Sequence, residues 1–219
     1  MKAMILAAGK GERMRPLTLA SPKPLLEAGG KPLIVHHIER LRNAGFTDIV
    51  INTAYLGIKI QAALGMGQAL GVNIQYSHEG ATGLETAGGM QRARPLLGTQ
   101  PFLLVNADVW TDYPFDKLPN RLEGLAHLVM VDNPEHNPSG DFSLQGALIS
   151  NQGLRMLTYS GIAIIAPDLL KDAPSGTLKL APLLRRAADE SYVTGEHHKG
   201  TWDDIGTPER LMQLNARFL

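Results

Sequence analysis

The sequence predicts an α/β fold, a single three-layer α/β/α domain over residues 1–219 with a mostly parallel central sheet. Strand-like and helix-like segments alternate through about the first eighty residues, the pattern of βαβ crossovers. A glycine turn follows the first apolar run at once. A later apolar run, Pro101-Phe-Leu-Leu-Val-Asn-Ala-Asp108, ends in polar residues, and an open parallel sheet meets its ligands beyond the carboxyl ends of its strands.

Residues 3–8 are small or apolar and suit a short buried strand. Gly9 and Gly11 then let the backbone turn tightly with its amides free. Arg13 and Arg15 follow, each with a planar fork of donors suited to phosphate oxygens. Pro16, Pro22 and Pro24 stiffen the next stretch, and Lys23, held between two prolines, is presented from a rigid arm. The loop is neither of two familiar glycine motifs. Met14 stands where a dinucleotide fingerprint needs a small residue, and no Gly-Lys-Ser/Thr follows as in a P-loop. The glycines alone suit an ordinary α/β turn equally well, and the three cations favour a polyphosphate site.

Leu33 to Ala44 puts Leu33, Ile34, His37, Ile38 and Leu41 on one helical face, with Gly45 as its stop. Asp48-Ile-Val-Ile-Asn-Thr53 reads as a buried strand, Ile58 to Leu64 as a helix ended by Gly65 and Gly67, and Val72 to Ser77 as a third strand. Glu79 to Gly89 is a second glycine-rich turn, leading into a helix that ends near Leu97. Leu125 to Asn133 is a further buried strand, followed by the polar loop Asn133 to Asp141. Near the end, Gly200 to Leu211 gives a strand, a Gly206 turn and a helix opened by Thr207-Pro208, an N-cap followed by an N1 proline. Taken alone, Asp108 is a turn residue and the adjacent Asp203 and Asp204 suit capping.

Composition narrows the partners. Lys plus Arg and Asp plus Glu both total 21, which argues against a nucleic-acid surface or an anionic membrane and for a small ligand. The absence of cysteine excludes disulfides, thiolate zinc sites and cysteine nucleophiles, leaving the cytoplasm as the default location. The apolar run after Lys2 is too short for a signal peptide. The seven histidines show no metal-ligand spacing and read as packing or surface residues.

The pattern Leu6-x-Ala-Gly-x-Gly-x-Arg-Met-x-Pro-Leu-Thr18 with Pro22-Lys-Pro-Leu25 resembles the signature of sugar-1-phosphate nucleotidylyltransferases. Segments 106–113, 125–134 and 179–185 extend the likeness over nearly the whole chain, toward the uridylyl-transferring members. The resemblance implies a Rossmann-like nucleotidyltransferase fold, with residues up to about 110 holding the nucleotide and about 111–219 the sugar phosphate. It implies Mg²⁺ held by Asp108 and Asp204, whereas Asp203 does not match; Arg13 acting on the phosphates during transfer; and Lys23 meeting the sugar phosphate. Nucleotide contacts fall on Ala7, Ala8, Gly9, Gly11, Arg13, Glu79, Gly83 and Asn106, with residues 83 to 88 flanking the base. The Glu79 carboxylate suits N3–H of uracil or N1–H/N2–H of guanine, so residue type leaves the base open. Sugar-phosphate contacts fall on Lys23, Asn106, Gly140, Asp141, Ser160, Gly161 and Lys179. In one departure, the Glu-Lys-Pro segment of many relatives is missing before Ser160-Gly161, and Lys179 is the candidate replacement. The implied substrates are UTP and a cell-wall amino-sugar 1-phosphate, for an enzyme that is a monomer or weak homo-oligomer. Mannose- or glucose-1-phosphate transferases, and a catalytically silent sugar-nucleotide sensor, are the alternatives.

Overall fold

The computed structural model describes residues 1–218; Leu219, the last residue of the expected domain, lies outside the described residues. Strand β1 (Ala3–Leu6) is followed by the short helix α1 (Leu17–Ala20), the two-residue strands β2 (Glu27–Ala28) and β3 (Lys31–Pro32), and helix α2 (Leu33–Asn43). Then come β4 (Asp48–Thr53), α3 (Gly57–Leu64), β5 (Asn73–His78), α4 (Glu85–Leu97) and β6 (Phe102–Asn106). The second half runs β7 (Val109–Thr111), β8 (Ala126–Val131), β9 (Phe142–Gln145), β10 (Leu148–Ser150) and β11 (Met156–Ile165). It closes with α5 (Leu180–Asp189), β12 (Val193–His197), β13 (Trp202–Asp204) and α6 (Pro208–Asn215).

Nine strands form one sheet in the order β5-β4-β1-β6-β11-β8-β12-β10-β9. From β5 to β6 every pairing is parallel, as the strand–helix alternation predicts. Beyond β6 the sheet is mixed. β11 is antiparallel to both β6 and β8, β12 is parallel to β8, and β10 and β9 close the edge antiparallel. The cause is the connections: β9 and β10 are joined by a tight turn, which only antiparallel strands allow, whereas the long stretch from β8 to β12, through β9, β10, β11 and α5, leaves room for parallel pairing.

Side chains alternate across the sheet. Met4, Leu104 and Ala163 pack on one face with Met90 and Ala93 of α4 and Leu183 and Leu184 of α5. Ile5, Val105 and Ile162 pack on the other with Ile34, Ile38 and Leu41 of α2 and Ile60 of α3. The three layers of the sequence reading are therefore present, with α2 buried through the face its periodicity marks.

Two features turn this scaffold toward a ligand. Leu6, Asn52 and Asn106 lie side by side across β4, β1 and β6, so three parallel strands deliver their carboxyl ends to one place. In β11 the register with β8 shifts between Tyr159 and Ala163, a bulge that frees Ser160 and Gly161 from regular pairing. Apart from the main sheet, β7 and β13 form a two-stranded antiparallel ribbon. A third apolar cluster, including Met14, Leu33, Ile205 and Leu214, anchors the residues after β13 and helix α6 to the first loop.

His37 is the one fully buried titratable ring in α2; it lies beside the Val109 backbone, and burial pushes its pKa down to about 4. Between that value and 6.5 the unfolded chain binds a proton that the folded chain refuses, so stability falls as the pH drops through this window. We expect His37 to remove about 3 kcal/mol across it. Urea unfolding from pH 7 to pH 4 should show a shallower decline in His37→Met than in the parent.

Candidate active site

At the end of β1 the Ala7 N–H donates to Asn52 Oδ1 at 2.8 Å, and Asn52 Nδ2 donates to Glu79 Oε1 at 2.6 Å. The other Glu79 oxygen accepts the Leu84 N–H at 2.7 Å. One buried carboxylate thus ties β1 and β4 to the turn before α4. Gly11 has a φ of 62°, and a Cβ there would lie 2.9 Å from Thr18 Cγ2 and 3.2 Å from Lys23 Cβ. With Thr18 Oγ1 donating to the Gly11 carbonyl at 2.7 Å, the loop folds back against Lys23.

Lys23 is buried, and its ammonium meets Asp108 Oδ2 at 2.7 Å. A cation removed from water needs such a partner, and this one also fixes the direction in which the lysine points. Asp204 accepts from Arg210 Nη1 at 2.6 Å and lies 3.0 Å from His136 Nε2. Neighbouring Asp203 turns away and makes a two-pronged pair with Arg217 at 2.6 and 3.2 Å.

Asp204 sits opposite Val109 in the β7–β13 ribbon, and the Ile205 N–H donates to the Asp108 carbonyl at 2.7 Å. Strands distant in sequence therefore bring Asp108 and Asp204 together. A Cβ on Gly206 would come within 3.0 Å of Asp204 Oδ2 and 3.3 Å of Arg13 Nη2, so the arginine reaches the same neighbourhood.

These groups line two adjoining recesses. The first holds Ala7, Ala8, Gly9, Gly11, Glu79 and Gly83, and the second holds His136, Tyr159, Ser160, Trp202 and Asp204. Arg13, Asn106 and Asp108 border both, and Lys23 borders the first. Among the described residues no three His, Cys, Asp or Glu side chains gather as metal ligands. The two carboxylates nevertheless suit a hard cation such as Mg²⁺, which takes one or two protein carboxylates and completes its shell with water and phosphate oxygens.

Four expected sugar contacts line neither recess. Gly140 backs onto Asn133 and Leu157, and Asp141 accepts the Tyr159 N–H at 2.9 Å, so both brace β11 from behind. Gly161, at φ 81°, acts by leaving space, because a Cβ there would lie 2.6 Å from Asn106 Nδ2. Lys179 is exposed at the start of α5, while Thr177, two residues earlier, enters the first recess. His136, expected as a packing or surface residue, is exposed and also borders the second recess against Asp204. Its only sequence signal was its place in the polar loop after β8. Arg210 had none beyond its position three residues after the helix-capping Thr207.

A family model described as nucleotidyl transferase matches residues 2–142. A protein of Neisseria meningitidis named N-acetylmuramate alpha-1-phosphate uridylyltransferase is 52% identical, over 99% of this chain and 97% of the relative. A Caulobacter vibrioides protein of the same name is 33% identical, over 99% and 96% of the two chains. Among solved structures, a Bacillus anthracis protein described as a glucose-1-phosphate thymidylyltransferase aligns over 100% of this chain and 95% of its own, with a TM-score of 0.85 at 24% identity, a likeness of fold.

Asn52 is the hinge of the polar tie beneath the first recess. Asn52→Ala strips Ala7 N–H and Glu79 of their partners, and we expect a loss of about 1–3 kcal/mol, the cost of buried polar groups left unmade. A lowered urea midpoint with an unchanged m-value would confirm it; an unchanged midpoint would contradict it.

Proposed function

The chain belongs to the nucleotidyl transferase family, and from that premise we propose that it transfers a uridylyl group from UTP to N-acetylmuramate α-1-phosphate. The products are UDP-N-acetylmuramate and pyrophosphate, and the reaction belongs to the recycling of cell-wall sugar. The observation that carries the chemistry is the cleft in which Arg13 and Lys23 stand against Asp108 and Asp204. The choice of UTP and this sugar is supported by the Neisseria meningitidis relative, alike from end to end.

The first recess takes the nucleotide, with its base beside Gly83 and its triphosphate along Gly9 to Arg13. The second takes the sugar, between Ser160 and the His136 loop. On this assignment residues up to about 110 hold the nucleotide and about 111–219 supply most of the sugar side. An oxygen of the sugar phosphate attacks the α-phosphorus in line, a new P–O bond forms, the bond to the β-phosphate oxygen breaks, and pyrophosphate departs. The sugar phosphate is already ionised near neutrality, so the site needs no general base, and catalysis rests on positioning and charge. Lys23, aimed by Asp108, holds the attacking phosphate at the junction of the recesses. Arg13 stabilises the charge that develops on the α-phosphoryl oxygens. A Mg²⁺ held by Asp108 and Asp204 would neutralise phosphate oxygens as well. No protein nucleophile is involved, so no covalent intermediate forms.

Removing one preorganised charge-stabilising group should lower turnover by about two to three orders of magnitude, and we expect this of both Arg13→Ala and Asp108→Asn. Pyrophosphate release by purified Asp108→Asn at the parent rate would contradict the metal assignment. Substrate choice is tested by a matrix of the four nucleoside triphosphates against N-acetylmuramate, N-acetylglucosamine, glucose and mannose 1-phosphates, with Mg²⁺ present. UTP with N-acetylmuramate 1-phosphate should dominate. A maximum at GTP with mannose 1-phosphate would replace the proposed substrates, and a blank matrix would point to a sensor.

A further inference from the structure

Three non-glycine residues among those described adopt a positive φ: Leu56 at 51°, Glu85 at 60° and Ser191 at 61°. Only Glu85 of these borders the cleft. Its Cβ makes that backbone conformation unfavourable, and glycine would adopt it without strain. Where such a residue persists at a binding surface, its side chain is the place to seek the compensation.

The side chain of Glu85 is exposed, and its carboxylate makes no hydrogen bond or ion pair among the described residues. Of the other acids of the cleft, Glu79, Asp108 and Asp204 have close protein partners, and Glu12, beside the phosphate end, makes an exposed contact with Arg15 at 3.9 Å. An acid in the first turn of α4 does favour the helix dipole, but Thr86 or a later position would offer that without a left-handed backbone. The dipole therefore does not explain why the carboxylate stands at this residue.

We propose that Glu85 recognises the ribose of the bound nucleoside triphosphate by accepting hydrogen bonds from its hydroxyls. The inference rests on the nucleotidyl-transfer reading above. A carboxylate accepts hydrogen bonds or binds a cation and repels phosphate, so the part of a nucleotide that meets it is a hydroxyl or N–H donor. Glu85 borders the first recess and not the second, which separates it from the sugar side. Within the first recess Glu79 and Gly83 mark the base end and Gly9 to Arg13 the phosphate end. The group that joins base to phosphates, and that offers neighbouring hydroxyls, is the ribose.

The test is calorimetric binding of UTP and 2′,3′-dideoxy-UTP to the full chain, for the parent, Glu85→Gly and Glu85→Gln. The parent should bind UTP about ten- to a hundredfold more tightly, the range for hydrogen bonds to a charged acceptor. In Glu85→Gly the ratio should shrink to within about threefold, with a Tm no lower than the parent's because glycine relaxes the backbone. Glu85→Gln, which keeps one acceptor oxygen, should fall between them, and it carries the test alone if the glycine variant fails to fold. An unchanged ratio in the variants overturns the inference. So does a variant whose UTP preference is intact but whose relative KM for the sugar 1-phosphates has moved, since that assigns the carboxylate to the sugar. A parent that binds no UTP would sink the nucleotidyl-transfer reading itself, whereas a parent that binds UTP with a ratio indifferent to Glu85 sinks this inference alone.

Discussion

The antiparallel pairing of β7 with β13 is the contact on which the cleft depends. It joins segments far apart in the chain and sets Asp204 against Val109, one residue beyond Asp108. The Ile205 N–H to Asp108 carbonyl bond continues the ladder past the last paired residues and locks the turn that carries Asp108. Each strand of the ribbon is three residues long, too short to be stable alone. It persists because the third apolar cluster holds Ile205, α6 and the first loop together, so the geometry of two acids rests on a small core behind them.

Charge balance follows from the same arrangement. Each acid at the junction is matched by a cation, Asp108 by Lys23 and Asp204 by Arg210, with the His136 ring also beside Asp204. Burying either sign alone would be costly, and the pairing leaves the cleft close to neutral before any ligand arrives. It also fixes the direction of the Lys23 ammonium at the edge of the first recess. Arg210 and Arg217 come from the chain's last helix and the residues after it, so the carboxyl-terminal segment takes part in setting the site although it borders neither recess.

Much of this was legible in the sequence because it was local. The period of α2, the β-branched run of β4 and the apolar run of β6 each declare themselves within a few residues, and the loop from Gly9 to Lys23 carries its chemistry in contiguous order. What escaped was non-local. The antiparallel entry of β11 beside β6 depends on connections and not on strand composition, and its bulge at Ser160 shows only against β8. Gly140, Asp141 and Gly161 were expected as sugar contacts from the family resemblance; none of the three borders either recess, and their close contacts and bonds run to Leu157, Tyr159 and Asn106. His136 becomes visible only when the loop after β8 is laid against β13, as no spacing within the loop marks it.

Glu79 separates being at a binding site from having atoms free to bind. The backbone N–H of Ala7 forces Asn52 to present its oxygen there, which leaves Asn52 only its amide nitrogen to offer Glu79. The Leu84 N–H arrives at the second carboxylate oxygen. Two donors therefore converge on residue 79 from opposite sides, and a side chain with two acceptor oxygens satisfies both. Glutamine, equal in size, would set its NH₂ against one of those donors, and rotating Asn52 would only move the clash to Ala7. Residue 79 is thus fixed as an acid by the backbone polarity of β1 and the turn before α4, whatever base lies above it. On the nucleotide assignment proposed above, Glu79 acts on the base through the turn whose Leu84 N–H it holds.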